Sequence, residues 1–235
     1  MNISPLSDGD RRLTAGYQAI VDYLRRQVTL GRLGPGDKLP AERKLAETLG
    51  VARETLRQAL RVLEGAGEIS VQRGASGGAF ITALESNPEA RTSALRGRRN
   101  EVLELVQFRD IVESASARLA AEAVTPNLLD RLDDALADLS AATTLAQCRR
   151  ADTIFHLAIA EGSGNSLLVH SVEEARIRMF EPVDALAVTF IKNSSLVAHQ
   201  AIRDAIAHHD SAQAELEMRE HLAITAAEFD RLIKD

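Results

Sequence analysis

The spacing of apolar residues in the first third of the chain predicts three helices followed by two short strands. In each helical run the apolar residues recur every three or four positions, which places them on one face. Gly50, between the second and third runs, is suited to the positive φ that commonly ends a helix. The predicted elements are helices over residues 14–30 and 41–49, a helix that buries Leu56, Leu60 and Leu63, and strands over 68–71 and 79–81.

Two short helices joined by a tight turn and followed by a hairpin form a winged helix-turn-helix, whose second helix enters the major groove of DNA. Arg53, Arg57 and Arg61 lie opposite the apolar face of that helix. Such a run usually forms a solvated helix face, but at the start of a second helix it favours contact with DNA. The glycine-rich hairpin tip over residues 73–78 carries one cation, Arg73, and suits close approach to a phosphate or the minor groove.

From Glu101 onwards every periodic run is helical, and Pro126 and Pro182 mark the start of one helix and the end of another. The region therefore predicts six or seven helices. The polar segment before it contains several arginines. It fits either a solvated linker or a segment that lies near the DNA backbone. We predict a mostly α protein with an N-terminal winged helix-turn-helix, a small β-hairpin and a C-terminal all-α antiparallel bundle. The predicted boundaries are 1–82 for the DNA-binding domain, 83–100 for the linker and 101–235 for the helical domain.

The net charge of the chain is negative, but the charge is divided unevenly between its two parts. The net charge is −6, yet residues 1–82 contain 12 Lys and Arg against 9 Asp and Glu, which gives +3 there and −9 in the remainder. A basic first part suits DNA, and an acidic second part keeps the assembly soluble. The single cysteine, Cys148, excludes an intrachain disulfide and a Cys-rich zinc site. With no signal peptide and no apolar run near the ~20 residues of a membrane span, we expect a cytoplasmic protein.

Four potential metal ligands lie on three predicted helices of the second part. Asp152 and His156 are four residues apart and therefore share a helix face, while His199 and His221 lie within later helices. Imidazoles and one carboxylate suit zinc, nickel, iron or manganese. Spacing alone favours the simpler interpretation, because a lone histidine on an apolar helix face is more often a core residue than a ligand.

The ordered pattern GPGDKLPAERKLAETLGVARETLRQALRVLEGAGEI, followed by a glycine-rich turn, resembles the DNA-binding domain of the GntR superfamily of transcription regulators. The resemblance covers roughly residues 15–82 and implies a winged helix that binds DNA. The chain departs from it at Ala52 and Glu54, where small hydroxyl residues are usual. These changes remove a helix cap and a phosphate contact. The expected DNA-contacting residues are Arg43, Arg53, Glu54, Thr55, Arg57, Arg73 and Gly74.

The patterns DTIFHLAI, HQAIRDAIAHHD and MREH, within about residues 101–232, resemble the all-helical ligand domain (FCD) of the FadR-type branch of this superfamily. Many members of that branch bind a divalent metal through an aspartate and three histidines. Zinc is the first choice, and nickel and manganese are alternatives. The metal ligands that this resemblance implies are Asp152, His156, His199 and His221. Arg109 matches a basic position near the effector pocket of the family, where a guanidinium can hold a carboxylate. An intrahelical pair between Arg109 and Glu113 is the alternative.

Two classes of function fit these features. A metal-dependent hydrolase or lyase that carries a helix-turn-helix would need a general base beside the metal, and no H-E-x-x-H or comparable signature is present. An architectural DNA-binding protein with a structural metal is a weaker third option. The features favour a non-enzymatic transcription regulator, most simply a repressor that a small organic acid releases from its operator. One recognition helix reads too few base pairs for specificity over a genome, so we expect a homodimer on a palindromic operator of double-stranded DNA.

Overall fold

Within residues 16–74, 77–82, 99–183 and 188–234, which the computed structural model describes, the chain forms nine helices and one β-hairpin. The chain divides into two units, Met1–Ser86 and Asn87–Asp235. The first contains α1 (Tyr17–Thr29), α2 (Glu42–Leu49), α3 (Arg53–Gly65), β1 (Ile69–Gln72) and β2 (Gly78–Ile81). The second contains α4 (Arg99–Glu122), α5 (Pro126–Ala141), α6 (Leu145–Gly162), α7 (Ser166–Val183), α8 (Val188–Ala207) and α9 (Ser211–Lys234). The predicted fold class is confirmed.

The first unit is a winged helix-turn-helix with an aliphatic core. Ile20 and Leu24 of α1 pack with the buried leucines of α2 and α3, as their spacing predicts. Gly50 ends α2 with a φ of 68°, and the Val51 N–H donates to the carbonyl of Ala46 at 3.0 Å, which closes the turn before α3. The two helices can therefore share one core across a short connection.

The hairpin is anchored to the helices at its base. β1 and β2 pair antiparallel, with Ile69 opposite Ile81, and both side chains are buried in the core of the first unit. The Leu39 N–H donates to the Ala79 carbonyl at 2.8 Å, which adds the segment before α2 to the same edge. The far end of the hairpin, towards Gln72 and Gly78, extends away from this core and is the wing.

The second unit is a helical bundle in which α6 is the central helix. α6 packs against α4, α5, α7 and α8, and its residues 155–160 are all buried. A helix that is buried on all sides cannot have the usual polar face. A capping box starts it, because the Thr144 side chain accepts from the Gln147 N–H and the Gln147 side chain accepts from the Thr144 N–H. Polar residues on such a helix face the protein interior, so each needs a partner there.

One predicted helix end is displaced. The periodicity predicts that α7 ends at residue 180, before Pro182, whereas the helix continues through Pro182 to Val183. A proline in the last turn removes a single backbone hydrogen bond, and a helix about to end tolerates that loss. Asn165 caps the start of the same helix, since its side-chain oxygen accepts from the Leu167 N–H at 3.0 Å. Residues 1–15 and most of the expected linker lie outside the described residues.

Candidate functional site

The four predicted metal ligands, Asp152, His156, His199 and His221, come together inside the helical bundle. α6 supplies Asp152 and His156 one turn apart, α8 supplies His199, and α9 supplies His221. One potential ligand atom from each residue lies within 4.8 Å of the other three. The Nε2 atom of His199 is 3.3 Å from Nε2 of His221 and 3.4 Å from Oδ1 of Asp152. Nε2 of His156 is 3.8 Å from the same carboxylate oxygen.

These separations fit a bound metal ion. Two nitrogen or oxygen ligands of a tetrahedral zinc ion, each bonded at about 2.0–2.1 Å, lie roughly 3.3 Å apart. Nε2 of His156 is buried and makes no hydrogen bond within the described part of the chain. A buried polar atom without a partner is costly, and a metal bond would satisfy it. The donor set therefore fits a divalent cation in both chemistry and spacing.

The imidazoles of His199 and His221 are held in the neutral form that binds metal. Burial lowers the pKa of His221 to about 3, and the neighbouring charge of His156 acts in the same direction. Burial, followed by the charge of His221, also lowers the pKa of His199 well below its ordinary value. A neutral imidazole keeps one ring nitrogen unprotonated, and that nitrogen is the metal donor.

Asp152 is held ionised by a buried arginine that sequence reasoning missed. Arg176 of α7 contacts Oδ2 of Asp152 and lies 3.3 Å from the hydroxyl of Thr153. Burial alone would raise the pKa of Asp152, but the Arg176 cation beside it acts in the opposite direction, and the pKa lies below the usual range. The contact leaves Oδ1 facing the histidines. Arg176 lies 24 residues from Asp152, so the two become neighbours only when α7 packs against α6.

Arg109 forms the intrahelical pair that was its alternative interpretation. Its Nε donates to Oε1 of Glu113 at 2.5 Å, and both side chains are 2–3% exposed. Oε2 of Glu113 lies against Nδ1 of His156, so a chain of charged groups leads from α4 to the ligand cluster. Burial would raise the pKa of Glu113, but the charge of Arg109, followed by that of His156, lowers it. The four-residue spacing predicts the Arg109–Glu113 pair, whereas the contact with His156 depends on how α4 packs against α6.

The three remaining histidines lie outside the cluster. His170 is exposed, and its Nδ1 lies 2.7 Å from the carbonyl of Ser166. His208 and His209 are exposed at the end of α8, and His209 has a positive φ of 58°. These positions leave them without a role in the buried site.

The candidate DNA-contacting residues are placed on the start of α3 and on its surroundings. Ala52 precedes α3 and makes no side-chain cap, so the departure from the family pattern leaves the first N–H groups of the helix without that partner. Arg53 and Glu54 are exposed, and Thr55 is half-buried. Arg57 is also exposed, and its Nε donates to Glu42 at 2.9 Å. These side chains lie at the end of the helix that would enter a major groove.

Two further candidates lie beside that helix. Arg43 of α2 is exposed and paired with Glu47 one turn along at 3.0 Å. Arg73 and Gly74 are exposed at the wing, and Gly74 has a φ of 114°, a conformation that favours glycine. Residues 75 and 76 of the wing tip lie outside the described residues. Arg43, Arg57 and Arg73 could each meet a phosphate group without losing a buried contact.

A winged helix-turn-helix joined to a helical unit with a buried ligand cluster is the composition of a ligand-responsive transcription regulator. Residues 16–80 match the model of the family described as bacterial regulatory proteins, gntR family, and residues 104–224 match the FCD domain. The chain therefore belongs to the GntR family and carries an FCD domain. FCD domains of this family are known to bind metal, and the family is typically dimeric with small-molecule effectors.

Individual relatives lead to the same class. The HTH-type transcriptional regulator LutR of Bacillus subtilis is 32% identical over 82% of this chain and 91% of its own length. The Uxu operon transcriptional regulator of Escherichia coli K12 is 31% identical over 88% and 83%. The solved structure of Escherichia coli McbR/YncC has a TM-score of 0.57 and 20% identity, covers 93% of this chain and 99% of its own, and shows the fold alone. The protein is a DNA-binding transcription regulator and not an enzyme, so the hydrolase or lyase alternative has no support.

None of the helices in the described ranges combines the length and the apolar character needed to cross a membrane.

Proposed function

We propose that the protein is a repressor that leaves a palindromic operator when a small carboxylate-type metabolite binds in the helical unit. One observation carries this proposal. Three histidines and one aspartate meet inside the bundle, and the guanidinium of Arg176 contacts that aspartate. Buried charge on this scale costs folding free energy, so its presence favours a ligand-binding role over a structural one.

The proposed metal ligands are Asp152, His156, His199 and His221, with zinc preferred and nickel or manganese as alternatives. A bound divalent ion would supply a Lewis-acidic position that accepts an anionic oxygen of the effector. The protein contributes the arrangement around it. The neutral imidazoles of His199 and His221 would donate to the ion through Nε2, and Arg176 holds Asp152 ionised. The bundle core keeps water away from these groups, which strengthens each electrostatic contact.

The cations near the cluster support the proposal of an acidic effector. Arg176 contacts Asp152, and Arg109 reaches the cluster through Glu113. A guanidinium has five donors, so a pair with one carboxylate leaves capacity for a second anion. We propose that Arg109 binds one anionic end of the effector. A small mono- or dicarboxylate, hydroxy acid or sugar acid has the charge and the oxygen atoms that such a site recognises.

On the DNA side, we propose that Arg53, Arg57 and the neighbouring Glu54 and Thr55 face base edges or adjacent phosphates. Arg43 would contact a phosphate, and the wing would contact the DNA through Arg73 and Gly74. A two-fold homodimer, held largely by the helical units, would place two recognition helices on one palindrome. We expect the dimer to act in the cytoplasm, where the bacterial chromosome lies. Light scattering should show a dimer at micromolar concentration, and a monomer that still binds operator tightly would contradict the proposal.

A thermal-shift screen of small organic acids, with and without chelator, tests the effector assignment. An acid that raises the melting temperature only in metal-loaded protein, and weakens operator binding while remaining chemically unchanged, is the expected result. Stabilisation by metal with no response to any acid in the panel would instead indicate a structural metal. Chemical conversion of the acid by the protein would instead contradict the proposal and indicate an enzyme.

A further inference from the structure

The buried carboxylate of Glu113 contacts two groups, the guanidinium of Arg109 and the imidazole of His156. Its Oε1 accepts from Nε of Arg109 at 2.5 Å, and its Oε2 lies against Nδ1 of His156. Glu113 is 1% exposed and belongs to α4, which contributes none of the four residues in the ligand cluster. A carboxylate buried at this point is therefore tied at one end to a cation and at the other to a ligand of the proposed metal.

The contact with Nδ1 determines which nitrogen of His156 is available. The contact does not have the angles of a regular hydrogen bond, but a carboxylate oxygen offers only lone pairs, so a ring nitrogen this close to it must carry the proton. In the neutral ring the other nitrogen, Nε2, then carries the lone pair, and Nε2 faces Oδ1 of Asp152 within the cluster. The opposite tautomer would place a proton on Nε2, where the metal must bind. It would also leave an unprotonated Nδ1 facing the carboxylate oxygen of Glu113, and the two lone pairs would repel each other.

We propose that Glu113 is a positioning residue that fixes the tautomer and ring orientation of His156 for the metal, with Arg109 holding Glu113 in place. This inference rests on the proposed metal site. Carboxylates in the outer shell of histidine ligands orient the ring and raise its basicity, and their loss typically costs about 10–100-fold in metal affinity.

The imidazole of His199 is oriented in a different way from that of His156. His199 is stacked on Phe155, with ring centroids 4.1 Å apart and planes inclined by 4°, so an aromatic contact orients that ring. Its Nδ1 is buried with no hydrogen-bond partner in the described ranges. Replacement of Glu113 should therefore alter one ligand and leave the orientation of His199 intact.

The test compares zinc binding to the full-length protein and to the Glu113→Gln variant, by competition with a chromophoric chelator. Glutamine keeps the size of the side chain, but its NH₂ group can donate to Nδ1 and favour the wrong tautomer. We expect zinc affinity to fall by about 10–100-fold. Glu122→Gln is the matched control, because Glu122 lies on the same helix in an exposed pair with Arg118. It should bind zinc like the wild type.

Nitrogen NMR of zinc-loaded wild-type protein gives a readout that does not depend on how the variant folds. Nδ1 of His156 should be protonated and Nε2 bound to zinc. The reverse assignment, or equal zinc affinity in a folded Glu113→Gln variant, would overturn the inference. Failure of the wild type to bind any divalent metal would overturn the proposed metal site itself, and so the two failures are distinguishable.

Discussion

The charged residues of the two units are arranged in opposite ways. On α2 and at the start of α3 the charged side chains are exposed, and their ion pairs join neighbours on the surface, as in Arg43–Glu47 of α2 with side chains 75% and 61% exposed. In the bundle the Arg109–Glu113 side chains are 3% and 2% exposed. Exposed pairs are weak and exchange partners readily, whereas buried ones are expensive to break. The first arrangement suits a surface that meets DNA, and the second suits a fixed site for a ligand.

The largest expected effect separates the two units by function. His156→Ala should remove a metal ligand and abolish the response to the effector, while the winged helix remains intact and still binds operator. Fluorescence anisotropy of labelled operator DNA, with and without effector, measures both properties in one sample. His170→Ala, a change at an exposed histidine outside the cluster, should leave both unchanged. Loss of operator binding in metal-free His156→Ala protein would show that the units are not separable in this way.

A stability measurement tests the difference in burial. Arg109→Ala leaves the buried carboxylate of Glu113 without its cation, and breaking a buried pair from one side typically costs about 3–5 kcal/mol. Urea unfolding followed by circular dichroism should show this loss in the free energy of unfolding. Arg118→Ala is the control on the same helix, where the pair with Glu122 is exposed and its loss should have little effect. Similar values for the two variants would contradict the contrast.

On the DNA side, Arg53→Ala should weaken operator binding by about 1–3 kcal/mol and relax the preference at one base pair, if the side chain reads a base. Arg43→Ala should instead weaken all sequences similarly and flatten the dependence on salt, because a phosphate contact carries no sequence information. Binding titrations at several salt concentrations distinguish the two patterns. Arg178→Ala, a change at an exposed arginine of the helical unit, is the control. Unchanged affinity in both Arg53→Ala and Arg57→Ala would show that α3 is not the recognition helix.

The smallest expected effect concerns the partner of Arg57. Glu42 pairs with this arginine at 2.9 Å and places a negative charge close to the proposed DNA surface. Glu42→Gln should free the guanidinium for DNA and raise operator affinity by less than about tenfold, more at low salt than at high salt. Glu64→Gln, at the other end of α3, should change the affinity less. A decrease in affinity for Glu42→Gln would mean that the pair orients Arg57 for DNA.

Much of the fold can be predicted from the local sequence pattern. The features that cannot be predicted in this way are buried contacts between helices of the second unit. Helix periodicity, Gly50 and Pro126 are local signals, and they predict the winged helix and the start of α5. The three histidines of the cluster match the family pattern and could be identified from it as candidate metal ligands. Arg176 and the contact between Glu113 and His156 have no such signal, because they depend on the packing of α7 and α4 against α6. Local signals also misplaced the end of α7 before Pro182.

The central claim is that the buried cluster is a metal site through which the helical unit controls DNA binding. Elemental analysis of the full-length protein, purified without chelator and without a polyhistidine tag, tests it most directly. We predict one divalent ion per chain in the wild type and none in His199→Ala. Wild-type protein that contains no metal, and takes up none on titration with zinc, nickel or manganese, would contradict the account.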